Sequence, residues 1–267
     1  MSGTAIINGA AMALADARLA ISDDGVARGD GAFESIGVWA RRPFRLEDHL
    51  ERLGRSLSAI GLAQPDFALI RDEVDALLDG MSGAQGALRI FVTGSGSRML
   101  TLGTLPPIRE SNRLSPQPAP WIRPLESYRP AGAKTMSYSP NMTATRAAQA
   151  EGADDALLIS LEGLILEGPT FCVLWVADGV LHAPELELGI VDSISRRTLL
   201  ELADEAAIPV ARGRWGLADL AGASELMLCS ALRELSSVGS VDALEFDGAA
   251  PVRGLLADRL RARRLEG

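Results

Sequence analysis

Apolar residues along the chain fall into two spacings, and each spacing predicts its own element. Short apolar runs in AIINGAAMAL, GVWARRPFRL and ALRIFVTGS, cut by Gly, Asn and Pro, predict β-strands. Between them, LEDHLERLGRSLSAIGL carries Leu46, Leu50, Leu53, Leu57 and Ile60 on one helical face, with Gly61 as the stop signal. A second helix is predicted from Asp66 to Leu78. Strands and helices in this order make the first half an α/β layer.

Residues 104–131 break the pattern with prolines at positions 106, 107, 116, 118, 120, 124 and 130, the signature of a strand edge followed by a linker. The expected boundary falls near residue 120, giving domains 1–120 and 121–267 with the linker near 119–130. Beyond it, MTATRAAQAEG predicts a helix closed by Gly152, and ALLIS, LILEG, FCVLWV and VLHAP predict strands. An amphipathic helix, ISRRTLLELADEAA, and a strand, SELMLCSAL, follow. No internal repeat interrupts this order.

Composition excludes several classes. With 47% hydrophobic and 23% charged residues the chain has the balance of a packed globular protein. The longest apolar run, Phe171 to Ala177, is too short to cross a bilayer, and the N-terminal stretch lacks a basic start and carries Asp16. The expectation is a soluble cytoplasmic protein without a membrane partner. A net charge of −9 disfavours nucleic acid as a partner. Cys172 and Cys229 lie in strand-like runs and read as buried thiols. His49 and His182 have no zinc-ligand spacing around them, so no metal centre is expected.

One residue stands out chemically. Of the 26 Lys and Arg residues a single one is lysine, Lys134, in the polar stretch AGAKTMSYSPN. Arginine stays protonated, whereas a desolvated lysine can become an amine nucleophile, so Schiff-base chemistry is one reading; an arginine-biased composition that left one lysine by chance is the other.

The surrounding motifs carry a resemblance. KTMSYSPNMTATRAAQAEGADDALL from Lys134, RGDGAFES at 28–35, HLERL at 49–53, LEG at 166–168, SISR at 193–196 and SELMLCSA at 224–231 occur in one order. Together they resemble the fold-type IV pyridoxal-phosphate (PLP) enzymes, the class IV aminotransferase family. That family includes branched-chain and D-amino-acid aminotransferases, (R)-amine transaminases and aminodeoxychorismate lyase. The resemblance implies an α/β (α+β) fold of two domains, a small N-terminal α/β domain and a larger C-terminal β-barrel-like α/β domain, assembled as a homodimer.

It also implies roles. Lys134 would form the Schiff base with PLP and shuttle the substrate proton, two tasks that arginine cannot perform. Glu167 would keep the pyridine nitrogen protonated, and Arg52 would grip the phosphate with a fork of charged donors. Ser193, Ile194 and Ser195 would present helix-start N–H groups to the phosphate, although Ser193 or Ser195 also suits a plain helix cap. Ser230 and Ala231 match a further phosphate contact, Ala231 lacking the hydroxyl of the usual threonine. Tyr138 matches a tyrosine that bonds the cofactor's phenolic oxygen. His49 would orient its helix rather than do chemistry.

The substrate-reading positions depart from the pattern. Phe33, Ser35 and Gly37 fall on the pocket strand, but Gly37 stands where relatives have a cation, and GSGSR leaves Arg98 as the nearest one. Cys172 replaces an asparagine. Three activities stay open: an aminotransferase working on an amino acid or primary amine and a 2-keto acid, an aminodeoxychorismate lyase, and a non-catalytic PLP-binding homologue.

Overall fold

The computed structural model describes residues 3–119, 131–246 and 248–266. The linker expected near 119–130, and the 120/121 boundary with it, falls almost wholly outside them. The chain divides into two compact units. One runs to Pro106 and regains Gly132–Tyr138 and the end from Arg264; the other comprises Pro107–Ala131 and Ser139–Arg263.

The first unit contains β1 (Thr4–Ile7), β2 (Ala10–Ala13), a short α1 (Asp24–Ala27), β3 (Gly31–Trp39), β4 (Arg42–Pro43), α2 (Leu46–Ala59), α3 (Phe67–Asp79), β5 (Gly86–Thr93) and β6 (Arg98–Gly103). Its strands form an antiparallel sheet in the order β2-β1-β6-β5-β3-β4. The expected helical stripe is the one that packs: Leu50, Leu53 and Leu57 of α2, with Ile70, Val74 and Leu77 of α3, close over Ala32, Ile36, Leu88, Ile90 and Leu100 of the sheet. Asp66 caps α3, its Oδ1 accepting from the N–H groups of Ala68 and Leu69 at 2.9 and 3.3 Å. Gly61, at φ +77°, supplies the left-handed residue that ends the α2 turn.

A strand turns successive side chains to opposite faces, so one face of β3 and β5 is committed to the helices and the other is not. Ala32, Glu34 and Ile36 face α2 and are fully buried. Phe33 and Ser35 face the other way and are half-buried.

The second unit contains β7 (Ser111–Pro118), α4 (Ser139–Ala150), β8 (Asp155–Ile159), β9 (Cys172–Ala177), β10 (Val180–Pro184), α5 (Ile194–Glu205), β11 (Val210–Gly213), β12 (Glu225–Ser230), β13 (Arg233–Val241), β14 (Leu244–Glu245) and α6 (Pro251–Glu266). Its mixed sheet, ordered β11-β10-β9-β12-β13-β7-β8 with β14 beside β13, forms a half-barrel. FCVLWV and SELMLCS read as continuous apolar runs because β9 and β12 are buried on both faces. Val173, Trp175, Leu226 and Leu228 join one core, while Cys172, Leu174, Met227 and Cys229 fill the opposite face. Ala144 and Ala148 of α4 pack on Ala156 and Leu158 of β8. LILEG is not a strand: Leu164 and Ile165 make isolated bridges to Gly216 and Ile159, because the turn at Gly163 leaves too little chain for a ladder.

The α2 stripe gives a direct check on the first core. Leu53→Ala leaves a cavity at a fully buried position and is expected to cost about 2–5 kcal/mol. Urea unfolding followed by circular dichroism measures it; a loss below about 1 kcal/mol would mean that α2 does not close this core.

Candidate functional site

Lys134 is held by its main chain before its side chain does anything. β4 pairs only with Val38 and Trp39, so the other end of the same β3 edge is open to a partner. The segment around Lys134 takes that place. Phe33 N–H donates to Lys134 O at 3.1 Å, Met136 N–H donates to Gly31 O at 2.8 Å, and Ala32 bridges Thr135. Gly31 permits the approach, since a Cβ there would stand 2.5 Å from Val92 O and 2.6 Å from Met136 Sδ. Lys134 N–H donates to Ser56 Oγ of α2 at 3.0 Å, and Ser137 Oγ donates to Gly29 O at 3.0 Å.

The lysine side chain emerges on the sheet face away from the helices. Its Nζ lies 4.2 Å from the Phe33 ring centroid and 3.4 Å from the Tyr138 hydroxyl. Phe33 stacks on Phe91 at 5.7 Å and meets the Tyr138 ring edge-on at 5.2 Å. Lys134, Tyr138 and Phe33 are thus brought together, and Ser35 and Gly37 share the face by the strand alternation.

On the helix face lies a buried ionic cluster. Glu34 Oε1 accepts from Arg52 Nε at 2.8 Å, and Glu34 Oε2 accepts from Arg52 Nη2 at 2.7 Å. His49 Nδ1 stands 2.7 Å from Glu34 Oε2. Burial works against ionisation of Glu34, but Arg52 and His49 outweigh it and hold the carboxyl down at about 2. Burial lowers the His49 pKa, leaving the ring neutral. An ionised carboxylate can only accept, so Nδ1 carries the ring hydrogen and donates it. His49, Arg52 and Ser56 recur at helical spacing along one side of α2, joining this cluster to the Lys134 main chain.

Arg98 does not share the Phe33 face. It pairs across the sheet with Val92, a core residue, and its Nε and Nη2 donate to Glu73 of α3 at 2.6 and 2.7 Å. The cation with the parity of Phe33 and Ser35 is Arg89, which stands in register with Ser35 and Thr101. It is half-buried, and no acidic side chain engages it among the described residues. Its signal was present in ALRIFVT, where an arginine two residues before Phe91 must point the same way.

In the second unit, Glu167 is buried and both its oxygens accept from Val191 N–H at 3.2 Å. Ser193 caps α5, its Oγ accepting from Arg196 N–H at 3.2 Å. Ile194 and Ser195 follow as buried first-turn residues whose N–H groups precede any intrahelical acceptor. Cys172 ties these parts together. Burial pushes its thiol up to about 12, and Ser193, Glu167 and Cys229 are all among the groups that act on it. Its Sγ donates to Cys229 O at 3.2 Å, beside Ser230. Such a thiol is an inert packing group. Ser230 ends β12, and Ala231 opens the turn to β13. Among the described residues no group of His, Cys, Asp and Glu could hold a metal, and no helix is long and apolar enough to cross a membrane.

Comparison with known proteins bears on the family and the fold. The profile of the amino-transferase class IV family matches residues 31–241, most of the chain. The chain belongs to the class IV aminotransferase family. A class IV protein of Mycobacterium tuberculosis described as a bifunctional aminodeoxychorismate lyase and D-amino acid transaminase is 27% identical over 80% of this chain and 83% of its own length. The fold IV transaminase CpuTA1 of Curtobacterium pusillum superposes with a TM-score of 0.88 at 26% identity, covering 98% of this chain and 99% of that one. The PLP-bound form of a protein described as a hypothetical aminotransferase from M. tuberculosis gives 0.90 at 25% identity, covering 98% and 99%. Class IV aminotransferases depend on PLP, which makes PLP the cofactor of this chain.

The ionic cluster gives the fold of this family member a pH dependence. The Glu34 carboxyl is lowered from 4.5 to about 2, so its contribution to stability is complete above 4.5 and is lost as pH falls towards 2. Depression of the His49 pKa acts in the same direction, since the unfolded ring takes up a proton more readily. Glu34→Gln is expected to flatten the fall in unfolding free energy between pH 4.5 and 2; denaturant titrations at several pH values with an unchanged slope would refute the assignment.

Proposed function

We propose that this chain is a PLP-dependent aminotransferase that moves an amino group between an amino acid, or a primary amine, and a 2-keto acid, with Lys134 as the residue that binds the cofactor covalently. The observation that carries the reading is the Lys134 amine 3.4 Å from the Tyr138 hydroxyl above the Phe33 ring. A clamped main chain leaves this amine one region to sweep, which suits a group that must accept a proton at one atom and return it at another.

The donor set fits the cofactor. PLP supplies an aldehyde that a lysine amine captures and a pyridine ring that withdraws electrons. Glu167, a buried carboxylate, holds a proton on a ring nitrogen. Arg52 of the first unit is a phosphate ligand by the family pattern; by the same pattern the second unit supplies the Ile194 and Ser195 N–H groups, the Ser230 hydroxyl and the Ala231 backbone. Tyr138 orients the cofactor's phenolic oxygen. Phe33, Ser35 and Gly37 line the substrate pocket, and Arg89 replaces Arg98 as its cation. The protein works as a cytoplasmic homodimer.

A second reading, aminodeoxychorismate lyase, is favoured by the bifunctional relative, whose described activities include both reactions. Visible spectra separate the two. The purified protein with PLP is mixed in turn with L-glutamate, branched-chain L-amino acids, D-alanine and an (R)-amine. An aminotransferase loses the band of lysine-bound PLP with one donor and gains that of the aminated cofactor. A band stable to every donor supports the lyase, and no band at all points to a non-catalytic homologue. In Lys134→Ala the band is absent and turnover falls by at least about 10²–10⁴-fold; full activity would sink the proposal.

Arg89 has its own test. If it receives a substrate carboxylate, Arg89→Gln raises KM for carboxylate-bearing donors about 10- to 100-fold and leaves a plain amine donor unaffected. Equal effects on both donors would remove Arg89 from substrate recognition.

A further inference from the structure

We infer that Glu34 is a positioning residue for phosphate recognition: it fixes the plane of the Arg52 guanidinium, and His49 fixes Glu34 in turn. The inference rests on the reading of Arg52 as a phosphate ligand.

Glu34 lies on the helix face of β3, opposite to Phe33 and Ser35, so it is separated by its own strand from the face that carries the Lys134 amine. Its carboxylate meets Arg52 and His49, and Oε2 also accepts from Ser35 N–H at 3.3 Å. A free arginine side chain must surrender its rotamer entropy on binding a phosphate. Two parallel hydrogen bonds, Nε to Oε1 and Nη2 to Oε2, settle that loss in advance and define one plane for the guanidinium. Glu34 itself is held by the neutral His49 ring, whose Nδ1–H shares Oε2 with Arg52.

Charge bookkeeping separates this from simple attraction. With His49 neutral, the Glu34 and Arg52 charges cancel, so the cluster offers a phosphate little net positive charge. What Glu34 supplies is direction, a fixed guanidinium plane. A buried ion pair of this kind is weak evidence for stability, and orientation is the better account of its placement.

The two explanations predict opposite signs. Replacing Glu34 by Gln adds one unit of positive charge beside Arg52. If Coulomb attraction governed, PLP would bind more tightly; if orientation governs, it binds more weakly. A purely structural defect would weaken PLP and pyridoxal alike, because pyridoxal lacks only the phosphate.

The apo full-length protein is titrated with PLP and, separately, with pyridoxal, and the ratio of the two dissociation constants is compared between variants whose melting curves show a folded state. Glu34→Gln is expected to lower the preference for PLP about tenfold, with pyridoxal affinity nearly unchanged. His49→Ala is expected to lower it in the same direction, and His49→Asn, which keeps a donor near the Nδ1 position, to restore it. An unchanged or increased preference for PLP in folded Glu34→Gln overturns the inference. Should Glu34→Gln fail to fold, the His49 pair decides: equal preferences in wild type, His49→Ala and His49→Asn overturn it. A wild-type protein that binds neither compound removes the PLP reading itself, and this inference with it.

Discussion

Side-chain alternation along β3 is the constraint on which the first unit depends. One extended segment must send Glu34 to the helices and Phe33 and Ser35 to the other face, and its edge must receive the Lys134 segment. A slip of one residue would place a carboxylate beside the lysine and a phenylalanine against Arg52. The register is held from both sides: Ile36, Leu88 and Ile90 need the core, and Gly31 is the point at which a side chain would push Met136 away. Folding and site assembly are therefore one event for β3, since the contacts that bury its apolar face also aim its polar residues.

The electrostatics follow from that geometry. Glu34 could not be buried as an anion alone; desolvation would favour its protonated form. Arg52 and His49 reverse this, and they arrive together because both sit on α2, where a spacing of three puts them on one side of the helix. Ser56, one turn further along, uses the same side to hold the Lys134 N–H. The same helix thus buries leucines on one stripe and organises the polar network on the adjacent one.

Much of this was readable from the chain. Leucine spacing and Gly61 defined α2, the helix expected over 66–78 matches α3 to within a residue at each end, and the ordered motifs around the lone lysine pointed to the family that the comparison finds. Other features were not read, for identifiable reasons. Arg98 was chosen for its place after the strand, but nearness in sequence does not fix a face, and parity puts Arg89 there instead. LILEG is apolar and short, and apolar runs alone cannot tell a strand from buried irregular chain. The role of Glu34 was hidden because its partners lie 15 and 18 residues away, and only the packing of α2 on β3 brings them together.

The choice between transamination and elimination does not turn on the groups that hold PLP. A lysine amine, a carboxylate for the pyridine nitrogen and a helix start for the phosphate serve either reaction, because both pass through the same loss of a proton next to nitrogen. The bifunctional description of one relative is consistent with a shared set. What differs is which substrate atoms are held, and for how long, once that proton has left. On the proposed reading, the first-unit side chains that do this are those with the parity of Phe33, namely Ser35 and Arg89, together with Tyr138. Arginine at such a position favours substrates that carry a carboxylate, through paired and directed N–H donors. On the proposed reading, reaction choice rests on side chains of the helix-free face, from which the Lys134 amine also emerges, while Arg52 on the helix face serves the cofactor's phosphate.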